Sequence, residues 1–169
     1  HAAFFRAYHA IRGGMTSPVT GEPTHLVYGF TGTLLNMIRT HQPTKLVVVI
    51  DAAGDTETFR TKLYPEYKAN RDEAPEDFGP QVERCLELLR LMRIPVFGLE
   101  GVEADDTIAS IITQCASDHA ELAIRIASRD KDLTQLCSPR VDMFDAMKDA
   151  LVTPSDVFKT EGVEPHMVG

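Results

Sequence analysis

Residues 46–51 read LVVVID, five consecutive apolar residues followed by an aspartate. A strand with one solvated face alternates apolar and polar residues, so a run with no polar position marks a strand covered on both faces, as in a parallel sheet. Similar short runs recur at Ile94–Leu99, Leu122–Ala127 and Val141–Phe144, separated by helical patterns at about 80–93 and 104–117. Ahead of them, residues 2–12 and 24–41 carry apolar side chains at helical intervals, the second through Leu26, Phe30, Leu34, Leu35 and Ile38 and closing before Pro43. The alternation predicts an α/β fold, a three-layer sandwich with a mostly parallel central sheet. One stretch, from Ala52 to about Pro80, fits neither period and is rich in charged and aromatic residues. A connection that long in a compact domain is usually functional or disordered.

A chain of 169 residues, 43% hydrophobic and 25% charged, is expected to fold as one domain around a single core. Cys85, Cys115 and Cys137 lie far apart, form no CxxC pair and fall in or beside predicted helices, which suits reduced core thiols and a cytoplasmic protein. No apolar run reaches the length of a membrane span and no charged-then-apolar leader opens the chain. The opening HAAFFRAYHAI is already amphipathic without an initiator methionine, and VEPHMVG ends where a helix could be starting. The chain is therefore expected to be a piece of a longer protein, truncated at both ends. A monomer is the simplest expectation for its oligomeric state.

Asp51 stands at the end of the 46–50 run, and five more acids, Glu103, Asp105, Asp106, Asp130 and Asp132, follow or flank other apolar segments. In an α/β fold that is the sheet edge where active sites form. Alone, Asp51 reads equally well as an Asx turn or a cap. Helical geometry at 100° per residue puts Asp105 in the stripe of Ile108, Ala109, Ile112, Cys115 and Ala116, facing inward, and turns Asp106 toward Ser110, Thr113 and Ser117. Asp105 is accordingly expected to be a direct metal ligand and Asp106 a supporting or helix-start charge. Asp130 and Asp132 alternate in SRDKDLTQL, residues 128–136, which can direct two oxygens at one hard cation, although Asp130 could equally cap a short helix carrying Leu133 and Leu136.

Like charges so clustered repel by roughly 4 kcal/mol per close pair at an effective dielectric of 20 unless cations neutralise them. The donors are all oxygen, with none of the six histidines at ligand spacing, which selects Mg²⁺ or Mn²⁺ over zinc. Two such ions are the usual apparatus for phosphodiester cleavage, so nuclease is the reaction class that follows. The formal charge of −8 argues against a nucleic-acid partner until two bound divalent cations bring it to about −4.

FRAYHA (5–10), VVVIDA (47–52), FRTKLYPEYKANR (59–71), GVEADD (101–106) and SRDKDLTQL (128–136) occur in the order found in the bacterial 5′→3′ exonucleases and flap endonucleases, which the chain resembles over its whole length. That family includes the N-terminal domain of DNA polymerase I, and its catalytic domain has a PIN-like fold. The resemblance implies two Mg²⁺ ions, with Mn²⁺ able to replace them, the first held by Asp51, Glu103 and Asp105 and the second served by Asp105, Asp130 and Asp132. Asp106 matches a family acid of less direct role. It further implies that about 52–80 form a helical arch passing a single-stranded 5′ end, that Lys68 and Arg71 grip the scissile phosphate, and that Arg6 and Arg60 contact DNA. Phe59, Tyr64 and Tyr67 among those cations could stack on bases or give the arch a small core. The expected substrate is DNA with a 5′ flap, a nick or a free 5′ end, and a polymerase could follow downstream.

The family also carries an aspartate just before the residue matching His1, and a further acidic motif and a helix–hairpin–helix segment beyond Gly169; this span alone is expected to be weakly active or inactive. Two other readings stay open on the residues: a PIN-type ribonuclease, which has no need of an arch, and a non-catalytic DNA-binding or scaffolding domain, which would be expected to have lost one of the acids.

Overall fold

The computed structural model describes residues 2–11, 14–52, 58–67, 74–146 and 148–168. They fall into two compact units, His1–Ala104 and Asp105–Gly169. Chain length leads to the expectation of one core; the buried side chains instead gather in two clusters, one in each unit.

In the first unit, helices α1 (Ala2–Ala10) and α2 (His25–His41) are followed by strand β1 (Val48–Val49), helices α3 (Phe59–Leu63) and α4 (Phe78–Leu91) and strand β2 (Val96–Phe97). Phe4 and Ala7 of α1, Leu26, Phe30 and Leu34 of α2, and Phe78, Cys85 and Leu89 of α4 are buried, each set spaced by three, four or seven residues so that one helical face carries it. Phe4 meets Phe30 with ring centroids 4.9 Å apart, and Phe5 stacks on Phe78 at 4.2 Å. Pairs of this kind add about 0.5–1.5 kcal/mol beyond their burial. Burial also pushes the Cys85 thiol up to about 12, so it packs as a small neutral side chain. Helix α2 stops where Gln42 takes a left-handed conformation at φ 44° and its N–H reaches the Ile38 carbonyl, just ahead of Pro43.

Strands β1 and β2 are parallel, with Val48 opposite Val96 and Val49 opposite Phe97. The ladder is shorter than the apolar runs that announce it, and Val47 is 42% exposed rather than covered on both faces. Pairing is limited on the β2 side by Pro95, which has no N–H to give, and by Gly98.

The second unit takes helix α5 (Ala104–Asp118) from its second residue, then β3 (Ile124–Ala127), a 3₁₀ turn (Lys131–Leu136), β4 (Val141–Asp145), β5 (Ala150–Val152), α6 (Pro154–Glu161) and a short 3₁₀ turn (Pro165–Met167). Strands β3 and β4 are parallel, from Ile124 opposite Val141 to Ala127 opposite Phe144, and β5 returns antiparallel against β4. Val141, Met143, Ile126, Ile112, Leu133, Cys137 and Val157 form the core. Thr153 and Asp156 begin α6: the Asp156 carboxylate accepts from the Thr153 amide at 3.0 Å and hydroxyl at 2.6 Å, which holds that carboxyl below its ordinary range.

Thr24 precedes α2 without a side-chain cap, and the work passes to α4: Gln81 Oε1 accepts the buried Leu26 N–H at 2.9 Å. Gln81 Nε2 donates to the Asp77 carboxylate at 3.1 Å, and the other oxygen of Asp77 accepts the Tyr8 hydroxyl at 2.6 Å. One polar chain thus ties α1, α2 and α4. Gln81→Leu keeps the bulk but orphans the Leu26 amide, and it is expected to cost about 1–3 kcal/mol in chemical denaturation.

Candidate metal centre

Asp51 follows β1 and is half-buried; its Oδ1 accepts the N–H of Ala104, the first residue of α5, at 2.7 Å. A carboxylate there satisfies one of the amides a helix start leaves open and sits at the positive end of its dipole. The bond places the Asp51 side chain beside the residue preceding Ala104, which is Glu103. Glu103 is 6% exposed, and its Oε2 lies 3.4 Å from an Arg60 guanidinium nitrogen and 3.4 Å from the Tyr67 hydroxyl. A carboxylate that deep requires a cationic partner, and α3 supplies one. Arg60 also lies over the Phe59 ring at 4.6 Å. The Phe59 N–H donates to the Gly101 carbonyl at 2.9 Å, so α3 is tied to the loop that carries Glu103.

Asp105 and Asp106 occupy the first turn of α5, and the expected inward orientation of Asp105 is not what the helix adopts. Asp105 is exposed, Asp106 is half-buried, and the buried residues are Thr107 and Ile112. Side chains at a helix start lean back past its end, where no preceding turn lies beneath them. The 100° stripe therefore describes α5 from Ile108 onward better than its first turn. Asp130 behaves as a cap for the 3₁₀ turn, its Oδ1 accepting the Asp132 N–H at 3.1 Å while its own amide donates to Ser128 Oγ at 3.1 Å. Asp132 is exposed on that turn, and Leu133 anchors it in the core.

Within either unit no three described His, Cys, Asp or Glu residues stand grouped as a metal site. What is brought together is Asp51 with Glu103 at the start of α5 and Asp130 with Asp132 in one turn, with Asp105 and Asp106 next in sequence to Glu103. The donor set is all oxygen and, in Glu103, buried against a positive charge, so its chemistry fits a hard divalent cation. Arg6 is half-buried on α1; Lys68 and Arg71 lie outside the described residues, as do positions 53–57 and the rest of 68–73 in the expected arch.

Two features escaped the reading of the sequence. Gly98 ends β2 where an added Cβ would come within 2.9 Å of the Ile50 carbonyl oxygen, one residue before Asp51. Asp145 follows the run Val141–Phe144 as Asp51 follows 46–50, so the same signal marks it, and it is buried where Asp51 is half-buried.

The model of the 5′-3′ exonuclease family, N-terminal resolvase-like domain, matches residues 1–163. The chain is 39% identical over 169 residues to a DNA polymerase I of Rhizobium leguminosarum, covering 96% of this chain and 16% of that protein. It is 37% identical over 164 residues to a 5′-3′ exonuclease of Aquifex aeolicus, covering 97% of this chain and 55% of that one. The chain thus spans between about a sixth and a little over half the length of these relatives. Among solved structures, the T5 D15 protein co-crystallised with metal ions matches with a TM-score of 0.75 and 22% identity, over 96% of this chain and 59% of that one. That likeness gives the fold, an α/β arrangement of the expected kind.

The Gly98 contact has a direct test beside Gly32, where an added Cβ meets nothing within 4 Å in an exposed part of α2. Gly98→Ala is expected to destabilise by about 1–3 kcal/mol through overpacking, and Gly32→Ala to stabilise by about 0.5–1 kcal/mol, both read from denaturation midpoints.

Proposed function

The chain belongs to the family of 5′-3′ exonuclease N-terminal, resolvase-like domains, and from that we propose that it is the nuclease domain of a divalent-metal-dependent, structure-specific 5′-3′ exonuclease or flap endonuclease acting on DNA in replication and repair. The observation that carries the reading is the Asp51 carboxylate tied to the first amide of α5, one residue after Glu103, which is itself buried against Arg60.

Asp51 and Glu103 in the first unit, and Asp105, Asp106, Asp130 and Asp132 in the second, would be the oxygen donors for two Mg²⁺ ions, with Mn²⁺ able to replace them. When bound, such ions supply an activated water and neutralise charge on the departing phosphate. The protein's own part is to hold the donors: the α5 amide fixes Asp51, Arg60 and Tyr67 hold the Glu103 carboxylate, and the 3₁₀ turn sets Asp130 against Asp132. Arg6, Arg60, Lys68 and Arg71 would meet the phosphates of DNA bearing a 5′ flap, a nick or a free 5′ end, with about 52–80 as a helical arch around the single strand. The ranking of Asp105 over Asp106 rests on the family motif alone, since burial does not favour it.

No helix among the described residues is long and apolar enough to cross a membrane. We place the protein in the cytoplasm as a monomer, with a polymerase downstream as in the Rhizobium relative.

The test is cleavage of a labelled 5′-flap DNA by the protein at its native length, with single-stranded RNA alongside. Cutting near the junction should require Mg²⁺ or Mn²⁺, stop with chelator and fall by at least about 100-fold in Asp105→Asn; cutting of RNA instead would point to a ribonuclease, and intact DNA binding without cutting to a scaffold. If Lys68 and Arg71 act at the scissile phosphate, their alanine variants lose turnover more than duplex affinity, which single-turnover rates and binding titrations separate.

A further inference from the structure

We propose that Arg129 and Asp145 are positioning residues for the turn bearing Asp130 and Asp132, and so set the affinity of the protein for divalent cations. The inference rests on the reading of those two acids as cation ligands.

Parallel strands β3 and β4 run in register to Ala127 and Phe144, so the residues beyond them leave the same edge of the sheet. On β4 the next residue is Asp145. On β3 the chain continues through Ser128 and Arg129 into Asp130, and the Arg129 Nε returns to Asp145 Oδ2 at 3.0 Å. Asp145 is 8% exposed, whereas the Arg129 side chain is 42% exposed. A carboxylate at that depth beside Met143 and Phe144 stays charged at tolerable cost only with a cation against it, so Asp145 gives Arg129 one strongly preferred direction.

That direction fixes the main chain one residue before Asp130. The turn is then held at three points: the Arg129 guanidinium on β4, the Ser128 and Asp130 side-chain bonds to the amides of Asp130 and Asp132, and Leu133 in the core. Asp145 also keeps a guanidinium from settling on its neighbours. Arg129 lies in sequence beside two carboxylates meant for a divalent ion, and a cation drawn onto them would compete with it; the contact with Asp145 turns the guanidinium toward β4 and orients the turn. Partners that orient ligands in this way typically change metal affinity by about 10–100-fold when lost.

An internal control exists on the same two strands. Arg125 and Asp142 are opposite each other in the ladder, and the guanidinium donates to both carboxylate oxygens at 2.7 and 2.8 Å, but the pair lies within the paired part of the strands and not next to Asp130 in the chain. The experiment is calorimetric titration of the native-length protein with Ca²⁺ and Mg²⁺, without DNA, for wild type, Arg129→Gln, Arg129→Lys, Arg125→Gln and Asp130→Asn, each with its melting temperature recorded.

Arg129→Gln should weaken divalent binding by about tenfold, Arg129→Lys by less, and Arg125→Gln should leave it unchanged even where it lowers the melting temperature. Should Arg129→Gln fail to fold, the Arg129→Lys affinity decides, an unchanged value counting against the proposal. Wild-type affinity in a folded Arg129→Gln, or an equal loss in Arg125→Gln, overturns it. If Asp130→Asn binds as wild type does, the ligand reading itself falls, a failure distinct from the first because it leaves the Arg129 variants nothing to modulate.

Discussion

The Ala104 amide donates to Asp51 Oδ1 across 2.7 Å, and this bond joins the end of the first strand to the start of the helix that follows Glu103 and carries Asp105 and Asp106. It solves two problems together. A helix start leaves amides without acceptors, and a carboxylate at a strand end is costly to hold half-buried. Each is the other's remedy, and the arrangement demands that β1 stop where it does. Gly98 lets this happen, since any side chain there would press on the Ile50 carbonyl. Local backbone geometry is thus coupled to the placement of the Asp51 carboxylate, one residue after the crowded position.

The same economy governs the other acids. Glu103 is buried against Arg60 and Tyr67, Asp130 accepts an amide two residues on, and Asp145 takes the guanidinium of Arg129. A cluster of carboxylates left to itself would spread apart. Asp51, Glu103, Asp130 and Asp145 are each held by a donor belonging to the fold, so for these four the repulsion is offset locally and the side chains keep a defined place. The formal charge of −8 is therefore a poor guide to partners, because several of the charges behind it are already committed locally.

Much of this could be read from residues alone, and the limits are physical. The helices at 25–41 and 78–91 announced themselves because each buries a stripe several turns long, which periodicity records. The strands were visible as apolar runs but not in extent: hydrophobicity does not register that Pro95 withholds a donor or that Gly98 closes the ladder. The six acids were singled out by their positions after or beside apolar segments. The orientation of Asp105 was not, because a helical wheel assumes neighbouring turns on both sides and the first turn has one. Nor does a single sequence reveal that Gln81 caps a helix 55 residues away, since such bonds depend on packing and carry no local pattern.

Two arginine–aspartate pairs bridge β3 and β4, and comparing them shows why an ion pair cannot be valued from its length. Arg125 and Asp142 have the shorter, two-pronged contact, at 2.7 and 2.8 Å, yet both are open enough to water that solvent replaces much of what the pair provides. Arg129 and Asp145 meet at 3.0 Å, but the carboxylate is almost enclosed, so its alternatives are poor and the arginine's direction is imposed. The first pair can be lost with its strands still paired through their backbones. The second lies just beyond the last β3–β4 pair, where pairing with β4 no longer dictates the path of β3's chain and side chains help to decide it.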